Sequence, residues 1–148
     1  VRDLAPEETH ALRREVSAGG RTDIQIRSPL DGAPGAWHLG AMDAAGVVIA
    51  ISSYYRVTCP VRPDARPAVQ LQNMAVAPGR QRQGVGSAVL DEAIRRLRTG
   101  GGVFLWASAR DAAIPFYERF GFAVLEGSAS ASATGPHHLI ALDLRAAD

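Results

Sequence analysis

The chain has 148 residues, is 47% hydrophobic and carries a formal net charge of +1 at pH 7. These values suit one globular domain spanning residues 1–148, with no call for nucleic acid as a partner, and they exclude a disordered chain. A domain of this length buries roughly 68–70% of the surface its unfolded chain exposes. The longest apolar run, Ala44 to Ile51, is too short to cross a bilayer. The first residues lack the basic and then apolar pattern of a secretory signal. The single cysteine, Cys59, excludes an internal disulfide and a multi-cysteine zinc site. A cytoplasmic protein with no metal and no membrane partner is expected. All sixteen basic residues are arginine. Without lysine there is no P-loop, Schiff base or kinase-type phosphate lysine.

The segment 6–20 (PEETHALRREVSAGG) predicts a helix. Pro6 suits its first turn, Glu7 and Glu8 suit the positive dipole end, and Gly19 suits the position just past its end. Thr9, Leu12 and Val16 give it an apolar face. Residues 28–36 read as loop. Residues 36–42 and 47–57 read as two strands around an Asp-Ala-Ala-Gly turn, hence a hairpin. The three prolines of 58–67 mark a long loop, and 69–76 (VQLQNMAV) is a third strand stopped by Pro78 and Gly79.

Residues 84–98 predict a strong helix. Val85, Val89, Ala93 and Leu97, with Leu90 and Ile94, form its apolar face. Asp91–Arg95 and Glu92–Arg96 have the spacing of favourable pairs on the other face. The continuous apolar run 103–109 reads as a strand buried on both faces. Residues 112–120 predict a short helix closed by Gly121, with Pro115 near its first turn. Residues 122–127 and 137–144 read as two last strands, joined by GSASASATGP (127–136), a small, polar segment expected to be a mobile loop. Strand, helix, strand across 69–109 make a βαβ unit with a parallel pair, and the rest is mostly antiparallel. The fold class is therefore α+β.

One short stretch carries chemistry. Residues 79–87 read GRQRQGVGS, at the mouth of the strong helix. The first amides of a helix lack intrahelical partners and carry the positive end of the dipole. Gly84 and Gly86 have no Cβ, so a phosphate can approach the backbone, and Arg80 and Arg82 add charge. The third position of a dinucleotide fingerprint falls on Val89, so the spacing is not of that type. A glycine-rich turn without a ligand would look the same in sequence.

GRQRQGVGSAVL resembles the acyl-CoA pyrophosphate loop of the GNAT superfamily of N-acetyltransferases, with Gln81, Gly84 and Gly86 at the motif positions. LQNMAVAP resembles the central strand of that family, and AAIPFYERFGF its second conserved segment. The resemblance covers residues 69–122. It implies a mostly antiparallel sheet with one splayed parallel pair, flanked by helices. It also implies acetyl-CoA as cosubstrate and an amine as acceptor. By it, the pyrophosphate sits on Gln81, Arg82, Gln83, Gly84, Val85, Gly86 and Ser87. The pantetheine arm runs between Met74, Ala75 and Val76 on one strand and Ala107 and Ser108 on the other, Ser108 standing where many relatives have asparagine. Tyr117 matches the tyrosine that protonates the leaving thiolate. HLGA and GPHH are similar to segments of a smaller ElaA-like branch, which carries a Pro-His pair at the start of its last strand.

The general base is not set by that pattern. Where some relatives place a glutamate, this chain has Gln70, Gln72 and Asn73, which take no proton at neutral pH. Candidates elsewhere are His137, His138, Glu126 and His38, and the branch resemblance favours His137. Adjacent strand residues face opposite sides, so at most one of His137 and His138 reaches the site. The implied mechanism is direct transfer, with the amide of Ala75 or Val76 polarising the thioester carbonyl. Cys59 as an acyl carrier would have only Arg56 and Arg62 to activate it. A binding module without turnover remains the alternative. The groove for the acceptor is expected to involve the first helix, 58–67 and 127–136. Arg62 and Arg66 would favour an acidic acceptor unless they are merely solvated. The family's habit of pairing through terminal strands makes a homodimer possible.

Overall fold

The structure is a computed structural model describing residues 1–132 and 135–145. The fold is a mixed sheet, mostly antiparallel, with one parallel pair and a long helix inserted between the parallel strands. The chain divides into two compact units, Val1–Tyr55 with Gln72–Arg96, and Arg56–Leu71 with the residues from Leu97 onward.

The first unit has strands β1 (Arg2–Leu4), β2 (Trp37–Met42) and β3 (Val48–Tyr55) in that order, followed by the C-terminal half of β4 (Ala68–Val76). β1 and β2 pair antiparallel with Leu4 opposite His38, and β2 and β3 with His38 opposite Ser53. β2–β3 is the predicted hairpin. Gly46 at its turn has φ +82°, and Asp43 Oδ1 accepts from the amides of Ala45 and Val47 at 2.9 and 3.0 Å. β1 was not expected from the sequence, since three residues carry too little pattern to read. Where a side chain at Gly40 would begin, Leu4 Cδ1 and Ala50 O already stand 2.4 and 2.6 Å away, so β1 packs directly on bare backbone.

The first predicted helix is helical but changes its winding. Pro6–Thr9 is a 3₁₀ turn, α1 is His10–Leu12, and Arg13–Ser17 is a π turn. Glu8 accepts from Ala5 N at 2.9 Å, which satisfies a first-turn amide. The segment ends at Ser17 and is capped by Ala18, which puts Gly19 just past the end as its sequence position suggests, and Gly19 and Gly20 both have positive φ. Leu4, Leu12, Ile51 and Ala75 form this unit's buried cluster, with Val16, Met42, Val48 and Ala77 against it. Helix α2 (Val85–Thr99) buries Val89, Leu90, Ala93, Ile94 and Leu97, the face its spacing predicted. On its other face Glu92 bonds both Arg95 and Arg96.

The second unit has the order β4, β5 (Phe104–Arg110), β8 (Gly135–Asp143), β6 (Ala123–Val124), with β7 (Ser130–Ser132) also on β8. β4 and β5 are parallel over Ala68↔Phe104 to Leu71↔Ala107. β5 and β8 are antiparallel, with Arg110 opposite His137 and Ala109 opposite His138. Cys59, Ala65, Phe104, Trp106 and Ala141 make the core of this unit, and the Trp106 indole donates to Val57 O at 2.8 Å. The proline-rich segment is thus anchored inside the unit.

Three expectations are corrected here. The strand expected over 122–127 is only the two residues of β6, because Ser128 Oγ bonds the carbonyls of Leu125 and Leu139 and turns the chain. The segment 127–136 contains β7, whose small side chains allow a tight ladder with the start of β8. Its residues Ala133 and Thr134 lie outside the described ones. The helix expected over 112–120 is a 3₁₀ turn at Asp111–Ala113 followed by α3 (Ile114–Glu118), with Gly121 at φ +98° closing it.

Candidate active site

The glycine loop lies in the first unit. Its first intrahelical bond runs from Ala88 N to Gly84 O at 3.0 Å. The amides of Val85, Gly86 and Ser87 precede that bond and so have no intrahelical partner. Gly84 has φ +79°, and no atom stands within 4 Å of where its Cβ would be. Arg82 also adopts a left-handed conformation, φ 64°, unusual for a side-chain-bearing residue, and is exposed. These are the features of a backbone nest that accepts an anion.

The side chains around the nest are partly committed. Arg80 bonds Asp43 at 3.3 Å. Gln83 donates to Gly79 O at 3.2 Å, and Gln81 makes a long 3.5 Å contact with Val76 O. Gln81 and Gln83 therefore brace the loop's own carbonyls. Upstream, Asn73 interrupts β4 at φ 55°, a left-handed kink that asparagine tolerates. Met74 and Val76 are half-buried and Ala75 is buried. The parallel register with β5 ends at Leu71↔Ala107, before these three residues.

The second unit holds the proton-carrying candidates. Tyr117 on α3 is buried and packed edge-on against Phe116 and Phe122, with ring centroids 5.2 and 5.4 Å away. Burial pushes its phenol well above the ordinary tyrosine range, and the charge of Arg110 opposes that shift. Tyr117 therefore keeps its proton at neutral pH. Ser108 is exposed on β5 opposite Leu139. His137 Nδ1 donates to Gly135 O at 2.8 Å, within its own strand. His138 Nδ1 lies 2.6 Å from Asp111 Oδ1. Glu126 is exposed. Cys59 is fully buried among core side chains, which leaves its thiol no access to a substrate. Arg62 lies over the Phe104 ring at 5.4 Å, and Arg66 donates to Pro63 O at 3.1 Å.

His38 turns out to belong to a buried polar network. Arg13 is fully buried and forks onto Asp31 at 2.9 and 3.1 Å. It also donates to Ile26 O, Ser53 Oγ and Tyr55 Oη. Tyr55 donates in turn to Asp31 Oδ1 at 2.5 Å. Ser53 Oγ also shares a hydrogen with His38 Nδ1, 2.7 Å away. The other ring nitrogen, Nε2, lies 3.8 Å from Asp31 Oδ1. Burial holds the His38 pKa below its ordinary value. Sequence reading missed this network and the Asp111–His138 pair. Their partners are 18 and 27 residues apart, and no local pattern joins them.

The profile described as the Acetyltransferase (GNAT) family matches residues 7–122. No curated protein matches the chain. Among solved structures the chain is similar to an acyl-CoA N-acyltransferase from Pseudomonas aeruginosa. The identity is 21% and the TM-score 0.74, covering 95% of this chain and 89% of that one. It is similar to Escherichia coli ElaA at 16% identity and TM-score 0.77, covering 95% and 96% of the two chains. It is also similar to an aminoglycoside 6'-N-acetyltransferase complexed with coenzyme A, at 12% identity and TM-score 0.72, covering 97% and 92%. At these identities the likeness is one of fold.

Proposed function

Because the chain belongs to the acetyltransferase (GNAT) family, we propose that it moves the acetyl group of acetyl-CoA to a small-molecule or peptide amine by direct transfer, the whole chain acting as one catalytic domain. The observation that carries the donor is the nest at the start of α2. Three amides precede the first intrahelical bond, and Gly84 opens the backbone to a phosphate oxygen. Val85, Gly86 and Ser87 hold the pyrophosphate through these amides, and the kink at Asn73 frees the backbone of Met74, Ala75 and Val76 for the pantetheine arm. The amide of Ala75 or Val76 stabilises charge on the thioester oxygen. Tyr117 stays protonated, the form an acid needs, and the burial that raises its phenol also raises the basicity of a thiolate brought into the same site. Ser108, exposed on β5, borders the arm and offers a hydroxyl where many relatives have an amide.

The test is thermal unfolding with acetyl-CoA, free CoA and ATP. Saturation to about 100 times the dissociation constant stabilises by about 2.7 kcal/mol. For a domain of this length that raises Tm by roughly 5–10 °C. A shift with both CoA forms and little with ATP is expected. Thiol release is then followed with a panel of amines, where Tyr117→Phe should slow release while preserving the shift. The absence of any shift at millimolar acetyl-CoA would end the donor assignment. A shift without thiol release from any amine would leave a binding module.

A further inference from the structure

The reaction proposed above needs a proton acceptor, and β4 does not supply one at Gln70, Gln72 or Asn73. The second unit contains a pair suited to the task. Asp111, in the turn that follows β5, reaches across to β8 and meets His138, with Nδ1 and Oδ1 2.6 Å apart. A carboxylate only accepts, so neutral His138 carries its proton on Nδ1 and keeps the Nε2 lone pair. Asp111 thus fixes the tautomer, fixes the ring and offers a negative charge to the imidazolium that forms on proton uptake. The two side chains are 32% and 41% exposed, so a solute can reach the pair.

Asp111 also lines a cavity of about 430 Å³ together with Arg110, Ala112, Ala113 and Pro136. Arg110 is the residue whose charge acts on the Tyr117 hydroxyl. The segment that carries Asp111 runs directly into α3, the helix that bears Tyr117. His137 Nδ1 is held by the carbonyl of Gly135 at 2.8 Å, whereas His138 Nδ1 is held by a carboxylate.

We propose that His138, held by Asp111, takes the proton from the ammonium form of the acceptor, a primary amine. This rests on the acetyltransferase reading. In the first step the ammonium N–H bond breaks and its proton passes to His138 Nε2, leaving a neutral amine with a free electron pair. That pair forms the C–N bond to the thioester carbonyl carbon, and the C–S bond breaks with its electrons on sulfur. The thiolate takes a proton from Tyr117. The nitrogen, still carrying one proton too many, returns it to the Tyr117 oxygen. His138 releases its proton to water. The products are the amide, CoA thiol and one proton.

The experiment measures thiol release from acetyl-CoA by the wild type, His138→Ala, His138→Gln and Asp111→Asn. Glycine, an alanyl peptide, spermidine and kanamycin serve as amines, and the acetyl-CoA thermal shift is followed for each protein. Both His138 variants should keep the thermal shift and lose about 10²–10⁴-fold in kcat. Added imidazole should restore His138→Ala, and only that variant, which a merely structural role would not allow. Asp111→Asn should lose a smaller factor that imidazole does not restore. Wild-type rates in His138→Ala, or loss of its thermal shift, would overturn the assignment. A wild type that shows the shift but releases no thiol with any amine would overturn it too. A wild type without the shift would instead remove the acetyltransferase reading itself.

Discussion

Arg13→Met tests whether the buried network is a single energetic unit. Arg13 is fully buried and Asp31 nearly so, with side-chain exposures of 0% and 12%. Methionine fills much of the arginine stem's volume but withdraws five hydrogen bonds from Asp31, Ser53, Tyr55 and Ile26. What remains for the Asp31 carboxylate is the Tyr55 hydroxyl and the Ser28 amide at 3.2 Å. Removing one partner of a buried ion pair costs about 3–5 kcal/mol. In a domain of this length that lowers Tm by roughly 6–20 °C. The double variant Arg13→Met/Asp31→Leu removes both charges together and should recover much of the loss, since a buried pair is often no better than an apolar replacement.

The same network has a pH signature. Burial alone would raise the Asp31 pKa, but the bonds from Arg13, Tyr55 and the Ser28 amide outweigh it and hold the carboxyl far below the usual range. The folded state then binds fewer protons than the unfolded state as pH falls below about 4. The stabilisation is complete at neutral pH, falls progressively below about 4 and is gone once the folded value is passed. Urea denaturation of the wild type and both variants from pH 7 to pH 2.5 measures this. Arg13→Met should lose this acid-dependent slope. A cost below about 1 kcal/mol for Arg13→Met, or a double variant no more stable than Arg13→Met, would refute the reasoning.

His38→Gln addresses a second titration. Burial depresses the His38 pKa, so between pH 7 and 5 the unfolded state takes up a proton that the folded state refuses, and stability falls with pH. Urea denaturation should show that slope flattened in the variant, and an unchanged slope would place its origin elsewhere. Gly40→Ala would set a methyl 2.6 Å from the backbone oxygen of Ala50 and 2.4 Å from Leu4 Cδ1. A loss of about 1–3 kcal/mol is expected in chemical denaturation. Gly84→Val has open space but a positive φ, so it should cost about 1–3 kcal/mol in backbone strain and still fold. It should also abolish the acetyl-CoA thermal shift, whereas a retained shift would move the anion elsewhere.

Legibility in the sequence followed the range of the interaction. The apolar face of α2 repeats within one turn, so Val89, Leu90, Ala93, Ile94 and Leu97 could be read directly. The glycine loop is equally local, and its positive φ at Gly84 follows from residue type. β1 could not be read, because three residues carry too little pattern, and its place depends on a missing side chain at Gly40. β7 was hidden for a related reason. Serine and alanine are turn and loop formers by composition, and only the ladder with β8 makes them a strand.

The side chains with the most chemistry were the least legible. Arg13 falls at i+4 from Thr9, on the side of the apolar face, but a charged residue there carries no local signal of the complete burial that accompanies the π turn. Asp111 lies just before the segment 112–120 that reads as a short helix, an unremarked place for a carboxylate. Its partner stands 27 residues later, beyond a stretch of small residues that carries no signal of its own. A charged group at a helix start has two possible partners, the dipole it sits on and whatever strand the topology delivers beside it. Only the second has chemical consequences here, because it fixes the ring and tautomer of a strand histidine.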